Sequence, residues 1–220
     1  MTEELIPKHG GYRKLKTFQL GQLIYDLTVR FCDRYIDKRS RTYDQMVQAA
    51  RSGVQNIAEG SQVSGTSKKM EMKLTNVARA SLEELRLDYE DFLRQRGMAQ
   101  WEPDHPALKR FKARRCATLQ EVRDWIQDEK KQWKTRTHTD AHRKTDSNKT
   151  AVSVPVGVSQ EEPVPSYAQL AANAALSLLN ICCYLLDRQL AAQAEAFKKE
   201  GGFTERLYKI RQNQKRKNNP

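Results

Sequence analysis

Residues 166–186 contain no charged side chain, although Lys, Arg, Asp and Glu make up 30% of the 220-residue chain. A helix of 21 uncharged residues is long enough to cross about 30 Å of hydrocarbon. Such a segment must therefore be buried, either in a membrane or in a protein core. Three amides and two serines interrupt the segment, and much of its apolar content is alanine. We therefore predict the buried helix of a soluble bundle, with a membrane-attached form as the alternative.

Apolar residues spaced three and four apart predict three long amphipathic helices before this segment. The first covers residues 14–35, with the apolar face Leu20, Ile24, Leu27, Phe31 and Tyr35. The second covers residues 42–60, with the small-residue face Met46, Ala50, Gly53 and Ile57 and with Gly60 as its C-terminal cap. The third covers residues 68–96 and ends at Gly97, with the core residues Met72, Val77, Leu82, Leu85, Tyr89 and Phe92.

The last long helix is predicted over residues 167–200, and only one of the adjacent Cys182 and Cys183 is expected to face inward. Its apolar seam is Leu176, Leu179, Cys183, Leu186 and Leu190. Long helices joined by short loops pack antiparallel, so the predicted fold class is all-α, an antiparallel up-down four-helix bundle. The predicted divisions are an N-terminal arm (1–13), three bundle helices (14–97), a basic helical insertion (98–134), a flexible linker (135–165), the fourth bundle helix (166–202) and a basic tail (203–220).

The composition of the chain argues against several fold and function classes. The chain has 10 glycines and few β-branched runs, which argues against a sandwich, a barrel or a doubly wound sheet. Aromatic residues make up 8%, which disfavours an aromatic stacking platform for single-stranded nucleic acid. Residues 1–17 lack the apolar core of a secretory signal, and the four cysteines lack disulfide or zinc-finger spacing. These features predict a reduced, cytoplasmic protein.

Residues suited to catalysis or cofactor binding are sparse. His138 and His142 have the four-residue spacing of helical metal ligands, but no apolar face holds their segment in a helix. Cys182 and Cys183 are interpreted as small core residues. No glycine-rich phosphate loop is followed by the required Lys-Ser or Lys-Thr. We therefore predict no enzymatic activity, no cofactor and no metal site.

The chain carries 39 basic and 27 acidic residues, a formal net charge of +12 that attracts polyanions. The basic residues predicted to contact nucleic acid fall into four clusters. They are Lys38, Arg39 and Arg41; Lys68, Lys69 and Lys73; Lys109, Arg110, Arg114 and Arg115; and Arg206, Lys209, Arg211, Lys215, Arg216 and Lys217. A solvated basic surface without a nucleic-acid ligand is the alternative interpretation.

Polar residues recur in the middle of the second and third helices. Asn56 and Glu59 lie three apart on one face of the second helix, and the third carries Arg79, Ser81 and Glu84. Polar groups at a helix interface must satisfy one another, because an unpaired one is costly. We predict an ion pair between Glu59 and Arg79 and hydrogen bonds from Asn56 across the interface. The expected role is to fix helix register rather than to perform chemistry.

The same region carries a family resemblance, in QMVQAARSGVQNIAEGSQVSGTSKK (45–69) and ARASLEEL (78–85). Residues 14–97, and the final helix more loosely, resemble the four-helix-bundle family that includes two known groups. One is the intervening-sequence protein encoded within large ribosomal RNA genes. The other is the accessory variability protein of diversity-generating retroelements. A subgroup with a longer C-terminal suffix would include residues 171–211.

The resemblance implies a non-enzymatic antiparallel bundle that assembles into a barrel-like homopentamer. It also implies basic surfaces that bind nucleic acid and a reverse transcriptase. The family often has two arginines in the second helix, where this chain has Val47 and Gln48, and a proline before the Asn56 block, where it has Val54. Contacts assigned to those arginines therefore do not carry over.

Two functions follow from the sequence. The first is a homo-oligomeric accessory protein that binds RNA or DNA through its charged clusters and assists a reverse transcriptase, with little base reading. The second is an interaction scaffold whose basic surface meets an acidic protein and no nucleic acid. In the second case residues 135–165 and the amphipathic stretch around Val122, Trp125 and Ile126 would be the docking elements.

Overall fold

The computed structural model describes residues 6, 9–146 and 163–218, with side chains given up to residues 135 and 216 in the two long stretches. All regular secondary structure in these residues is helical, which confirms the all-α class. After a short 3-10 turn at Tyr12–Lys14, the helices are α1 (Lys16–Tyr35), α2 (Arg41–Val63), α3 (Lys68–Gln95), α4 (Pro106–Arg114), α5 (Leu119–Asp146), α6 (Tyr167–Glu200) and α7 (Phe203–Asn218).

Helices α1, α2, α3 and α6 pack around one core. Helix α1 packs against α2 and α6, and α3 packs against the same two helices from the other side. The side chains of Ile24, Met46, Leu82 and Leu179 are buried at the centre. Ser40 and Ser67 cap the N-termini of α2 and α3 by accepting hydrogen bonds from the backbone N–H groups of residues 42 and 70.

Helices α2 and α3 approach closely because α2 has glycines on the side that faces α3. A Cβ at Gly53 would lie 2.6 Å from Cδ2 of Leu82, and one at Gly60 would lie 3.3 Å from the carbonyl oxygen of Glu71. The prediction that Gly60 ends the second helix is wrong, because α2 continues to Val63. Gly60 serves instead as a contact point for the facing backbone.

The predicted insertion belongs to the same core. Phe111 of α4 and Trp125 of α5 pack with ring centroids 4.7 Å apart, and Val122 and Ile126 are buried beside them. The structure differs from the predicted linker over residues 135–146, because α5 continues without a break to Asp146. The rest of that linker, apart from residues 163–165, lies outside the described residues. Within the predicted basic tail, residues 203–218 form the helix α7.

Helix α6 is buried on several sides, because α1, α3, α4 and α5 all contact it. Both Cys182 and Cys183 are consequently buried, so the prediction that only one faces inward is wrong. Val77 of α3 was expected in the core but is 39% exposed, and the neighbouring Ala78 is buried in its place. The span from Tyr167 contains one stretch long and apolar enough to cross a membrane, and 72% of that stretch is buried within the protein.

Asn173 connects α6 to the loop that precedes α4. Its Oδ1 accepts a hydrogen bond from the backbone N–H of Trp101 at 2.7 Å, and its Nδ2 donates to the carbonyl oxygen of Ala99 at 3.1 Å. A buried amide with both ends satisfied fixes the position of that loop. The insertion is therefore held on α6 by polar as well as apolar contacts.

Candidate nucleic-acid interface

The cluster of Lys38, Arg39 and Arg41 lies at the turn between α1 and α2 and is exposed. Two of its cations have carboxylates nearby. Lys38 Nζ lies 3.5 Å from Asp33 Oδ1, and Arg39 Nε lies 3.8 Å from Asp37 Oδ1. These exposed pairs partly offset the local positive charge, and each contributes little to stability.

The cluster of Lys68, Lys69 and Lys73 lies in the first turns of α3. Lys68 Nζ is 3.3 Å from Glu71 Oε2 in a partly buried pair, whereas Lys69 and Lys73 are exposed. Backbone N–H groups at a helix N-terminus favour anions. Two of the three lysines are thus placed to reach a phosphate.

The cluster at 109–115 serves mainly to pack α4 on α5. Arg110 donates two hydrogen bonds to the buried Glu129, at 2.6 and 2.7 Å, and this contact raises the pKa of Arg110. Arg114 pairs with Asp128 at 2.9 Å. Lys109 and Arg115 are exposed, and Arg115 ends α4 with a left-handed φ of 51°. We therefore omit Arg110 and Arg114 from the proposed interface.

The predicted tail residues lie on α7. Lys209, Arg211, Lys215 and Arg216 are exposed, and Arg206 is half-buried. The side chain of Lys217 lies outside the described residues, as do the side chains of His138 and His142. Helix α7 thus presents a mostly basic surface, with Glu205 in its first turn.

The predicted Glu59–Arg79 pair is wrong. Arg79 instead forms an ion pair and a hydrogen bond with Asp187 of α6, and this contact raises the pKa of the guanidinium. Glu59 is exposed on α2. Arg79 lies on the side of α3 that packs against α6. The spacing of polar residues within α2 and α3 does not indicate this orientation. The ion pair of Arg79 therefore links α3 to α6 rather than α2 to α3.

Asn56 also bonds differently from the prediction. Its Nδ2 donates to the carbonyl oxygen and to the hydroxyl of Ser52, at 2.8 and 3.1 Å within α2. The Ser52 hydroxyl in turn lies 3.1 Å from that of Ser81 on α3, so the cross-helix hydrogen bond runs through Ser52. Glu84 is exposed at the edge of this contact. The cluster contributes to packing between α2 and α3.

A groove that the sequence analysis did not identify lies between α1, α5 and the start of α6. Its volume is about 640 Å³, and its floor is apolar, with Leu27, Phe31 and Ile126 among its lining residues. Six basic side chains line its edges. They are Arg30 and Arg34 on α1, and Arg123, Lys130, Lys131 and Lys134 on α5. We call this feature the α1–α5 groove.

The electrostatics of the α1–α5 groove favour an anion. No carboxylate lines it among the residues that the structure describes. Arg30, Arg34 and Lys131 are exposed and form no ion pair within that part of the chain. Burial and the neighbouring Lys134 ammonium lower the pKa of Lys130. Arg30, Arg34 and Lys131 therefore give the groove positive charge that no carboxylate among the described residues neutralises.

A sequence signal for this groove exists but is divided between distant segments. Arg30 and Arg34 are one helical turn apart, and Arg123, Lys130 and Lys134 recur on one face of α5. About ninety positions separate the two sets along the chain. The set on α5 also includes the adjacent Lys130 and Lys131, but nothing in the sequence shows that it faces Arg30 and Arg34 across a groove.

Three of the cysteines are buried and chemically unreactive in the described structure. Burial raises the pKa of Cys32 and of Cys182 to about 12, and that of Cys183 to about 11. These thiols stay protonated at neutral pH and are poor nucleophiles. In the described parts of the chain, no three His, Cys, Asp or Glu side chains group as metal ligands would.

Comparisons with protein-family models, with curated proteins and with solved structures found no match to this chain. The geometry of the α1–α5 groove is therefore the basis for assigning a function.

Proposed function

We propose that this chain is a non-enzymatic nucleic-acid-binding protein and that the α1–α5 groove is its principal binding surface. The observation that supports this proposal is the set of six cations around the groove without a carboxylate among its described lining residues. The successive phosphates of a nucleic acid match such a set of cations, and binding releases the counterions of those phosphates. Arginine adds bidentate contacts to phosphate.

The mechanism is electrostatic positioning. Phosphates contact Arg34 on α1 and Lys131 on α5, so that the nucleic-acid strand follows the groove between the two helices. Lys69, Lys73 and the exposed cations of α7 extend the positive surface. These contacts fix the orientation of the nucleic acid and carry little sequence information.

The family resemblance adds three parts to the proposal. The four core helices form an antiparallel up-down bundle, five chains assemble into a homopentamer, and the assembly assists a reverse transcriptase in the cytoplasm. A pentamer repeats each groove five times around one axis. This repetition raises the effective concentration of binding sites for one long polyanion.

The proposal is tested by measuring the affinity for a labelled oligonucleotide of random sequence by fluorescence anisotropy. The test variant is Arg34→Gln/Lys131→Gln, which removes two charges from the groove. The matched control is Arg94→Gln/Lys198→Gln, which removes two exposed charges that pair within their own helices with Asp91 and Glu195. Neither control residue lines the groove.

We expect the groove variant to bind at least tenfold more weakly than the wild type at low salt. The slope of log K against log salt should also decrease in magnitude by about 1 to 2. The control variant should keep most of the affinity. Equal affinity for the wild type and the groove variant would contradict the proposal, and binding of an acidic protein in place of nucleic acid would favour the scaffold.

A further inference from the structure

The α1–α5 groove has a second chemical character in addition to its charge. Its lining includes two aromatic rings that solvent can reach, Tyr35 at the end of α1 and Tyr167 at the start of α6. Tyr167 is 49% exposed. The apolar floor lies between the cationic edges of the groove. A ligand that fills the groove must therefore offer an apolar or π surface together with negative charge.

Lys130 holds one of these rings at the edge of the groove. Its Nζ lies 5.3 Å from the centroid of the Tyr167 ring and donates a hydrogen bond to the carbonyl oxygen of Pro165 at 2.6 Å. The Lys130 cation therefore covers one part of the ring, and its hydrogen bond to Pro165 connects the segment before α6 to α5. A ring that is already positioned loses little entropy when a flat group stacks on it.

Single-stranded and double-stranded nucleic acids differ in what they present to such a groove. A duplex hides the faces of its bases within the stack and presents phosphates, so it would contact the cationic edges alone. A single strand presents both phosphates and base faces, and stacking on aromatic side chains tolerates any sequence. The volume of about 640 Å³ is that of a small-ligand site, suited to a base with its sugar.

We infer that the α1–α5 groove binds single-stranded nucleic acid in preference to duplex, with a base stacked on Tyr167 and the flanking phosphates on Arg34 and Lys131. The inference rests on the proposed function and adds the class of ligand. It also revises the expectation, drawn from the low aromatic content, that the chain has no stacking surface. Two tyrosines are sufficient when the fold places them in one charged groove.

The test compares a labelled oligothymidylate with a blunt hairpin duplex carrying the same number of phosphates. Both are titrated by anisotropy at low salt with the full chain. The test variant is Tyr167→Leu, and Tyr167→Phe is the conservative variant that keeps the ring. The matched control is Tyr184→Leu, because Tyr184 is another exposed tyrosine of α6, 59% exposed, with the Arg188 guanidinium 6.0 Å from its ring centroid.

We expect the wild type to bind the single strand at least tenfold more tightly than the duplex. Tyr167→Leu should weaken single-strand binding about tenfold and leave duplex binding unchanged, because one stacked base is lost. Tyr167→Phe and Tyr184→Leu should both bind as the wild type does. Circular dichroism and thermal unfolding of each variant confirm that the fold is retained.

The inference and the proposed function fail in different ways. Equal affinity for single strand and duplex, with Tyr167→Leu unchanged and Arg34→Gln/Lys131→Gln still weakened, would overturn the stacking inference and leave the proposed function in place. Unchanged binding by the charge variant would overturn both.

Discussion

At the scale of single residues, the carboxylate of Asp88 on α3 has an unfavourable environment. Its Oδ2 atom is buried and has no hydrogen-bond partner among the described residues. Burial, and then the carboxylates of Glu84 and Asp91, raise the pKa of Asp88 to about 6. Compared with the unfolded chain, the folded state therefore stabilises the protonated carboxyl relative to the carboxylate.

The expected consequence is a stability that depends on pH in a known direction. The favourable contribution of protonated Asp88 is fully present below its unfolded pKa of about 4 and is lost as the pH rises through about 6. We predict that Asp88→Asn raises the free energy of unfolding at pH 7.5 by about 1 kcal/mol, a value reduced for solvent screening. The difference from wild type should shrink towards zero at pH 4.5. Urea denaturation at both pH values measures it, and a difference independent of pH would contradict the prediction.

At the scale of helices, the ion pair between Arg110 and Glu129 holds α4 on α5. The Glu129 residue is 1% exposed, so its carboxylate depends on the two hydrogen bonds from Arg110. Removal of one partner from a buried pair leaves the other charge uncompensated, which costs more than the pair contributes.

We predict that Arg110→Met lowers the free energy of unfolding by about 3 kcal/mol. The double variant Arg110→Met/Glu129→Met should recover most of that loss, because it removes both charges. Guanidinium denaturation of the wild type, Arg110→Met, Glu129→Met and the double variant gives the coupling energy of the pair. A double variant as unstable as Arg110→Met would show that the charge pair is not the cause.

The helices themselves were largely predictable, because apolar periodicity is a local property. The predicted limits of the last long helix, 167–200, coincide with those of α6. Contacts between helices were less predictable. Gly60 has the sequence context of a cap but lies inside α2, and Arg79 pairs with Asp187, which is 108 positions away. Spacing along one helix does not tell which neighbour each face meets.

At the scale of the whole molecule, the distribution of charge matters more than the net value of +12. Several basic residues that stand out in the sequence are paired within the fold, as Arg110 is with Glu129. The cations that gather at the α1–α5 groove come from α1 and α5, whose residues lie far apart in the chain. Only the folded arrangement brings them to one surface.

The proposed assembly is tested by its mass. Light scattering after size exclusion should give about five times the chain mass of 25.4 kDa, in low and in high salt. Absorbance at 260 nm should show nucleic acid that co-purifies at low salt and is removed at high salt, because each phosphate contact releases counterions. A monomer free of nucleic acid would contradict the pentamer and favour the scaffold.

The measurement that tests the proposed interface most directly is ultraviolet cross-linking to a single-stranded oligonucleotide containing 4-thiothymidine, followed by peptide mass spectrometry. We predict cross-linked peptides from the end of α1, around Arg34 and Tyr35, and from the start of α6, around Tyr167. The Arg34→Gln/Lys131→Gln variant should lose these cross-links, and the Arg94→Gln/Lys198→Gln variant should keep them. Cross-links confined to α7 or to the turn between α1 and α2 would contradict the assignment of the groove.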